Sequence, residues 1–302
     1  MRRPYIDFLG YRMWFLGFSA ALMLLSIAVL GVQGLTFGIE FQGGTAITFT
    51  KVENVQIEDM REAFQNAGVE SANIQSTENG FLVRTTESDP DVANDAYASV
   101  VAELGLPSNA GEVTTIGPGW GANITNRALM ALALSLLAIL VYTALRFEYK
   151  MSLTAVAALV HDVVIVLGVY ALLGREVTPN TIAALLTIMG YSLYDTIVVF
   201  HRIRENSRRV VRQTFMQMAN DSINQVIVRS INTSVTSLIP PLMLLFFGGT
   251  TLNDFAFALV VGLISGAYSS VGVASPIYAI WKEREPKFRA LKKKYEQQPK
   301  AS

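Results

Sequence analysis

An aspartate and an arginine stand where the chain is otherwise apolar: Asp195 in GYSLYDTIVVFHRIREN (190–206) and Arg229 in SINQVIVRSINTSVTSLIPPLMLLFFGG (222–249). Asp195 precedes Arg202 by seven residues and Arg229 follows Ser222 by seven, so each lies roughly 10 Å along its helix from the same basic end. If the two helices are neighbours, each charge is the natural partner of the other, because pairing inside a bundle is how intramembrane charges are tolerated. A nearby cation favours the ionised carboxylate and desolvation opposes it, so separating the pair changes proton affinity. The chemistry implied is a proton relay, with Asp195 as the acceptor and Arg229 as its modulator. A membrane potential would drive it by about 2.3 kcal/mol per charge per 100 mV. A snorkelling Arg229 and a frayed helix end at Asp195 are the bland alternatives.

Gln225, Arg229, Asn232, Thr233 and Thr236 recur at spacings of three and four, which makes one face of that helix a polar stripe expected to look into the bundle. Asp162, preceded by His161, falls mid-way along another apolar stretch. It reads either as a second relay group or as a hydrogen-bonded structural residue. The chain has no cysteine and two histidines 40 positions apart, His161 and His201. With no thiolate ligands, no phosphate-binding glycine loop and no nucleophile motif, neither enzymatic catalysis, a metal site nor a cofactor is expected.

These side chains must be carried by membrane helices. Just over half of the 302 residues are apolar, 16% are charged, the mean hydropathy is +0.37 and the formal net charge is zero. Stretches long enough to cross about 30 Å of hydrocarbon occur near Met13–Val32, Ile124–Leu145, Leu153–Leu173, Thr181–Phe200, Ile223–Phe247 and Phe255–Trp281. Basic residues collect beside alternate ends: Arg2, Arg3 and Arg12; Arg146 and Lys150; Arg202 to Arg212; Lys282, Arg284 and Lys292 to Lys294. The positive-inside rule then predicts a multi-pass membrane protein with both termini cytoplasmic. The basic N-terminus, with no small-residue cleavage site after the first apolar stretch, reads as a retained helix rather than a signal peptide.

Four segments follow: residues 1–35, a cytoplasmic N-terminus with the first span; 36–121, an extracytoplasmic domain; 122–281, spans two to six; and 282–302, a basic cytoplasmic tail. Within 36–121, TAITFT and GFLVRTT alternate as strands, with NIQST and EVTTI as shorter ones. QIEDMREAFQNAG and the segment opening at Asp89–Pro90 repeat apolar residues at helical spacing. The order strand, helix, strand, strand, helix, strand predicts a small ferredoxin-like α+β fold. Acidic residues outnumber basic ones there, which argues against nucleic acid as a ligand. Residues 174–180 and 247–254 read as tight loops, and Pro240–Pro241 as a kink. Residues 203–220 read as an interfacial helix or a solvated connector, and the tail as solvated or touching lipid. Gly262, Gly266, Ser270 and Ala274 form a small-residue stripe for close helix packing.

FGIEFQGGT (37–45), which holds Gly43 and Gly44, resembles the glycine signature of the SecD/SecF family of protein-export membrane proteins. GYSLYDTIVVFHRIREN resembles that family's fourth-span signature, and 222–249 with GAYSSVGVASPI (266–277) its fifth and sixth, in the SecF half. The resemblance implies an RND-type half-transporter of six spans in the bacterial cytoplasmic (inner) membrane. SecD would complete it to twelve, and the pair would use the proton-motive force to promote preprotein translocation through SecYEG, with YajC and YidC as further partners and membrane lipids around it. It also implies that Asp195 and Arg229 match the family's coupling acid and its basic partner. Tyr194 stands where asparagine is expected, His201 where aspartate is expected, and Glu40 where aspartate is expected. A histidine in the proton path would make activity vary around about pH 6 to 7. A non-transducing scaffold subunit and an RND-type exporter of small molecules or lipids are the alternatives, and the coupling ion, proton or sodium, stays open.

Overall fold

The computed structural model describes residues 5–50, 52, 55–69, 72–77, 80–208 and 213–295. Arg2, Arg3, Lys51, Arg209, Arg212 and the tail beyond 295 lie outside them. Six of the described helices are long and apolar enough to cross a membrane: Arg12–Gln33, Gly119–Arg146, Tyr149–Leu172, Pro179–Ser207, Phe215–Phe247 and Leu252–Glu283, here the first to the sixth. The chain divides into two compact units, Met1–Thr36 with Ala131–Ser302, and Phe37–Met130.

In the helical unit the sixth helix packs against the third, fourth and fifth, and the first lies on the third. Small residues make this possible. A Cβ on Gly262 would stand 2.2 Å from Ile188, one on Gly266 2.9 Å from Ser192, and one on Gly168 2.3 Å from Ser26, so backbones meet where side chains would hold them apart. Met151, Leu159, Phe200, Phe215 and Tyr278 fill the space between helices. The fourth and fifth helices open with capping boxes, Thr178 with Thr181 and Thr214 with Gln217. A five-residue π-helical turn, Ser270–Ala274, interrupts the sixth. Ahead of the first helix, Asn220 binds the backbone at both Leu9 and Ile6, at 3.1 Å each, and Leu9 is fully buried.

Several local expectations need correction. No separate helix covers the described part of 203–220: the fourth helix runs to Ser207 and the fifth starts at Phe215. Ile203, Phe215 and Met218 are buried in the core rather than turned to lipid. Residues 249–254 are helical rather than a loop, and Arg175 bonds Asp254 there at 2.9 Å. Pro240 and Pro241 sit inside an unbroken helical assignment. The beginning of the tail is not a solvated strand of chain: Pro286–Tyr295 is a helix whose Phe288 ring packs 4.6 Å from that of Phe215.

At this basic end Lys150 bonds Glu285 at 2.8 Å, and Lys282 bonds both Glu148 at 2.5 Å and Glu285 at 3.0 Å. Burial disfavours the charge on Glu285, but hydrogen bonds from Lys150 and Lys282 outweigh it and hold its carboxyl below the ordinary 4.5.

The other unit is a four-stranded antiparallel sheet in the order Asn73–Thr77, Gly80–Thr85, Gly44–Thr50, Gly111–Ile116. Val83 faces Ile47 in one direction and Ile74 in the other. Helices Ile57–Asn66 and Pro90–Glu103 cover the face that carries Ile47, Phe49, Phe81 and Val83, contributing Met60, Phe64 and Val100. Both helices begin as the sequence directs. Gln56 and Asp59 form a capping box, and Asp89 accepts from the Asp91 amide at 3.0 Å ahead of Pro90. Gly43 (φ 79°) and Gly44 (φ 117°) occupy the left-handed region, and a Cβ on Gly44 would stand 2.3 Å from the Thr85 carbonyl oxygen. Two glycines are therefore required where the short helix Ile39–Gln42 turns into the central strand.

Gly168→Ala should destabilise the helical unit by about 1–3 kcal/mol through overpacking on Ser26. Ser26→Gly in the same chain should recover part of the loss in thermal melts of detergent-solubilised protein. Because the folded-state value of Glu285 is depressed, its stabilisation is complete above the unfolded value and is lost as pH falls through the folded one. Glu285→Gln should accordingly remove part of the acid-induced drop in melting temperature below about pH 4.5.

Candidate functional site

The fourth helix turns Asp195 inward together with Ser192, Thr196 and Val199, all buried, since residues three and four apart share a face. The Asp195 side chain meets the fifth helix at Ser234, whose hydroxyl lies 3.2 Å from Asp195 Oδ2 and 2.8 Å from the Ser230 carbonyl. One hydroxyl proton thus serves two acceptors, and the carbonyl is the nearer. Beside the carboxylate is a cavity of about 20 Å³, lined by Ser192, Tyr194, Asp195, Ser234 and Gly266 among others, which is room for a water molecule.

Asp195 and Arg229 do not form the expected ion pair. Arg229 is exposed and donates from Nη2 to the Tyr194 hydroxyl at 2.8 Å. Helical geometry supplies the reason. Asp195 faces Ser234, five residues beyond Arg229, which places the arginine about 7.5 Å back along the axis and well round the helix. Tyr194, adjacent to Asp195, bridges the gap with its phenol. The Tyr194 hydroxyl is therefore what holds the guanidinium.

The polar stripe also faces differently from the expectation. Gln225, Arg229, Asn232 and Thr236 are exposed in this chain and Thr233 is half-buried. The buried side of the helix carries Ser222, Ser230 and Pro241 instead. Thr233 and Thr236 return their hydroxyls to the Arg229 and Asn232 carbonyls at 2.8 and 2.9 Å, and Gln225 accepts from Arg202 and Asn206. His201 is exposed, six residues past Asp195 on the same helix.

Asp162 occupies the opposite environment. It is 1% exposed, and three serine hydroxyls and the His161 ring meet it. Ser265 reaches Oδ1 at 2.7 Å, Ser192 and Ser269 reach Oδ2 at 2.7 and 2.8 Å, and His161 Nδ1 lies 3.1 Å from Oδ1. His161 Nε2 is buried and finds no hydrogen-bond partner among the described residues. Next to this cluster, Thr196 and Ser270 join their hydroxyls at 2.9 Å at the start of the π-helical turn. Sequence reasoning passed over Ser192, Ser234, Ser265 and Ser269. The available signal was a serine three residues before Asp195 and two serines at i and i+4 on the sixth helix. Among the described residues no group of three or more His, Cys, Asp or Glu side chains could hold a metal.

A bundle of six membrane-length helices with carboxylates buried between them defines a polytopic membrane protein. Residues 97–284 match the profile "Protein export membrane protein SecD/SecF, C-terminal", and residues 28–50 match "SecD/SecF GG Motif". The chain belongs to the SecD/SecF family of protein translocase subunits. It is 39% identical over 297 residues to the protein translocase subunit SecF of Streptomyces coelicolor, covering 95% of this chain and 80% of that one. It is 36% identical over 297 residues to SecDF of Thermus thermophilus, covering 96% of this chain but 40% of that longer protein. The crystal structure of Thermus thermophilus SecDF, described as a translocon-associated membrane protein, superposes with a TM-score of 0.87 at 37% identity, over 93% of this chain and 39% of that one.

The two carboxylates should differ in reactivity. Dicyclohexylcarbodiimide, an apolar carboxyl reagent, should modify Asp195, which is 8% exposed and borders the cavity, at least tenfold faster than Asp162, as read by peptide mass spectrometry.

Proposed function

We propose that this chain is the SecF half of an RND-type complex that uses the proton-motive force to promote preprotein translocation through SecYEG. SecD supplies the other six spans, and YajC and YidC are further partners. In this reading both termini are cytoplasmic, and residues 36–121 form a ferredoxin-like domain on the extracytoplasmic side. That side is where an unfolded preprotein would emerge. The strand order and the placement of both helices on one face support the fold assignment. The charge asymmetry of the loops supports the orientation.

The observation that carries the mechanism is how few fixed hydrogen-bond partners Asp195 has among the described residues. Its carboxylate borders a water-sized cavity and shares a single hydroxyl donor with a backbone carbonyl. A carboxyl with so few fixed partners can take up and release a proton without dismantling a network. Arg229, held by Tyr194, is the movable cation: rotation of the fifth helix or of the phenol brings it toward Asp195 and favours the ionised form, and withdrawal favours protonation. Proton entry is thereby tied to the position of one helix relative to another. The fused SecDF relative, in which a chain like this one makes up 40% of the length, supports SecD as the partner that covers the exposed stripe on the fifth helix.

Asp195→Asn should assemble with SecD and abolish stimulation of preprotein translocation by the proton-motive force, a loss of tenfold or more, in inverted membrane vesicles. Stimulation retained at the wild-type level in the assembled variant would reject the mechanism. His201→Ala tests the side question of a histidine in the path: an unchanged pH dependence of translocation removes it.

A further inference from the structure

Ser192 belongs to two sites at once. Its hydroxyl donates to Asp162 Oδ2 at 2.7 Å, and its side chain lines the cavity beside Asp195. The position is tightly set. The backbone carbonyl of Ser192 accepts from Thr196 at 3.2 Å and from Ser270 at 3.4 Å. Gly266 lies so close that an added Cβ would stand 2.9 Å from the Ser192 Cβ. We propose that Asp162 is a positioning residue for the Asp195 site, acting through Ser192.

Both oxygens of Asp162 are engaged, Oδ2 by the Ser192 and Ser269 hydroxyls and Oδ1 by the Ser265 hydroxyl, with His161 Nδ1 3.1 Å from Oδ1, so little of its acceptor capacity is left for water. The direction of the Ser192 hydroxyl follows. With its hydrogen committed to Asp162, it presents lone pairs to the cavity and accepts from whatever water lies beside Asp195. Such a water would carry one hydrogen to Ser192 and offer the other to the Asp195 carboxylate. Without Asp162 the hydroxyl is free to turn and donate, and the water reverses. Asp162 thus fixes the polarity of the path by which a proton reaches Asp195. The serines that hold it, Ser265 and Ser269, lie just before the π-helical turn of the sixth helix, an irregularity frequent at functional sites. The titratable groups around the cluster are His161 on the same helix, Asp195 on the fourth, and Tyr268 on the sixth, whose ring centroid is 6.4 Å from that of His161. The first helix contributes the Ser19 hydroxyl, bonded to Tyr268.

This inference rests on the proposed role of Asp195 in proton coupling, and the test separates the two. In vesicles holding the full chain with SecD, translocation driven by the proton-motive force is measured across pH for Ser192→Ala, Ser192→Thr, Asp162→Asn and the Asp162→Asn/Ser192→Ala double variant. Ser192→Ala and Asp162→Asn should each displace the pH of half-maximal stimulation by about one unit, a tenfold change in proton affinity. The double variant should be displaced no further than either single one, and Ser192→Thr, which keeps the hydroxyl, should restore the wild-type profile. Ser265→Ala/Ser269→Ala loosens the cradle without removing the carboxyl. It should displace the profile in the same direction as Asp162→Asn, and it carries the test if Asp162→Asn fails to assemble. Additive displacements, or a profile unmoved by Ser192→Ala, would overturn the proposal. If Asp195→Asn abolishes stimulation while the other variants keep the wild-type profile, only this inference falls. If Asp195→Asn retains stimulation, the proton-coupling reading falls with it.

Discussion

A carboxylate placed among apolar helices must be answered by hydrogen bonds or water, because hydrocarbon offers neither. The helical unit answers that constraint in two contrasting ways. Asp162 is enclosed and receives three serine hydroxyls from the fourth and sixth helices, with the His161 ring of its own helix beside it, which makes it a fixed polar pin. Asp195 is left with part of one serine proton and a cavity. The close approach of the fourth and sixth helices at Gly262 and Gly266 serves the first arrangement, since only with those side chains absent can Ser192, Ser265 and Ser269 reach one carboxylate. Packing and polarity are therefore one design: the glycine stripe sets the distance and the serines use it.

The fold was legible where one physical signal dominates. Length and apolarity located the six membrane-length helices of the described residues, because backbone hydrogen bonding in lipid permits little else, although the fourth runs on to Ser207 and the fifth starts as early as Phe215. In Phe37–Met130, strand alternation and the Asp89–Pro90 cap marked elements that form as read. The errors fall where tertiary packing overrides local pattern. Phe215, Met218 and Phe288 look like the apolar side of surface helices, yet they enter the core because the ends of the fourth, fifth and sixth helices converge there. Residues 247–254 carry turn formers, yet the sixth long helix begins among them with Gly248 as the preceding cap.

The candidate site was half legible. Counting helical rise placed Asp195 and Arg229 at one depth, but depth is one coordinate and rotation is another. A one-dimensional count cannot tell that Ser234, not Arg229, faces the acid. The serines were invisible for a different reason: their hydroxyls bond the helix backbone by default, and only the three-dimensional meeting of helices turns four of them toward carboxylates. Tyr194 was noted as a departure from a family pattern, and its bond to Arg229 gives that departure a physical content.

The exposed stripe on the fifth helix bears most directly on what this chain can do alone. Gln225 and Arg229 satisfy part of their capacity within the chain through Arg202, Asn206 and Tyr194, and the threonine hydroxyls turn back on their own helix. The guanidinium still has donors facing outward, and Asn232 is exposed beside it. In lipid that face would be costly, whereas against a second polar bundle it becomes an interface. A family in which chains like this one occur both as a separate subunit and as part of a longer fused chain fits a bundle whose outer face is built to be covered. If the proposed function holds, the cation proposed to tune Asp195 would sit at the seam between this bundle and that of SecD. A shift of one half against the other would then move Arg229, while Asp162, pinned within a single half, would keep the acid's surroundings fixed.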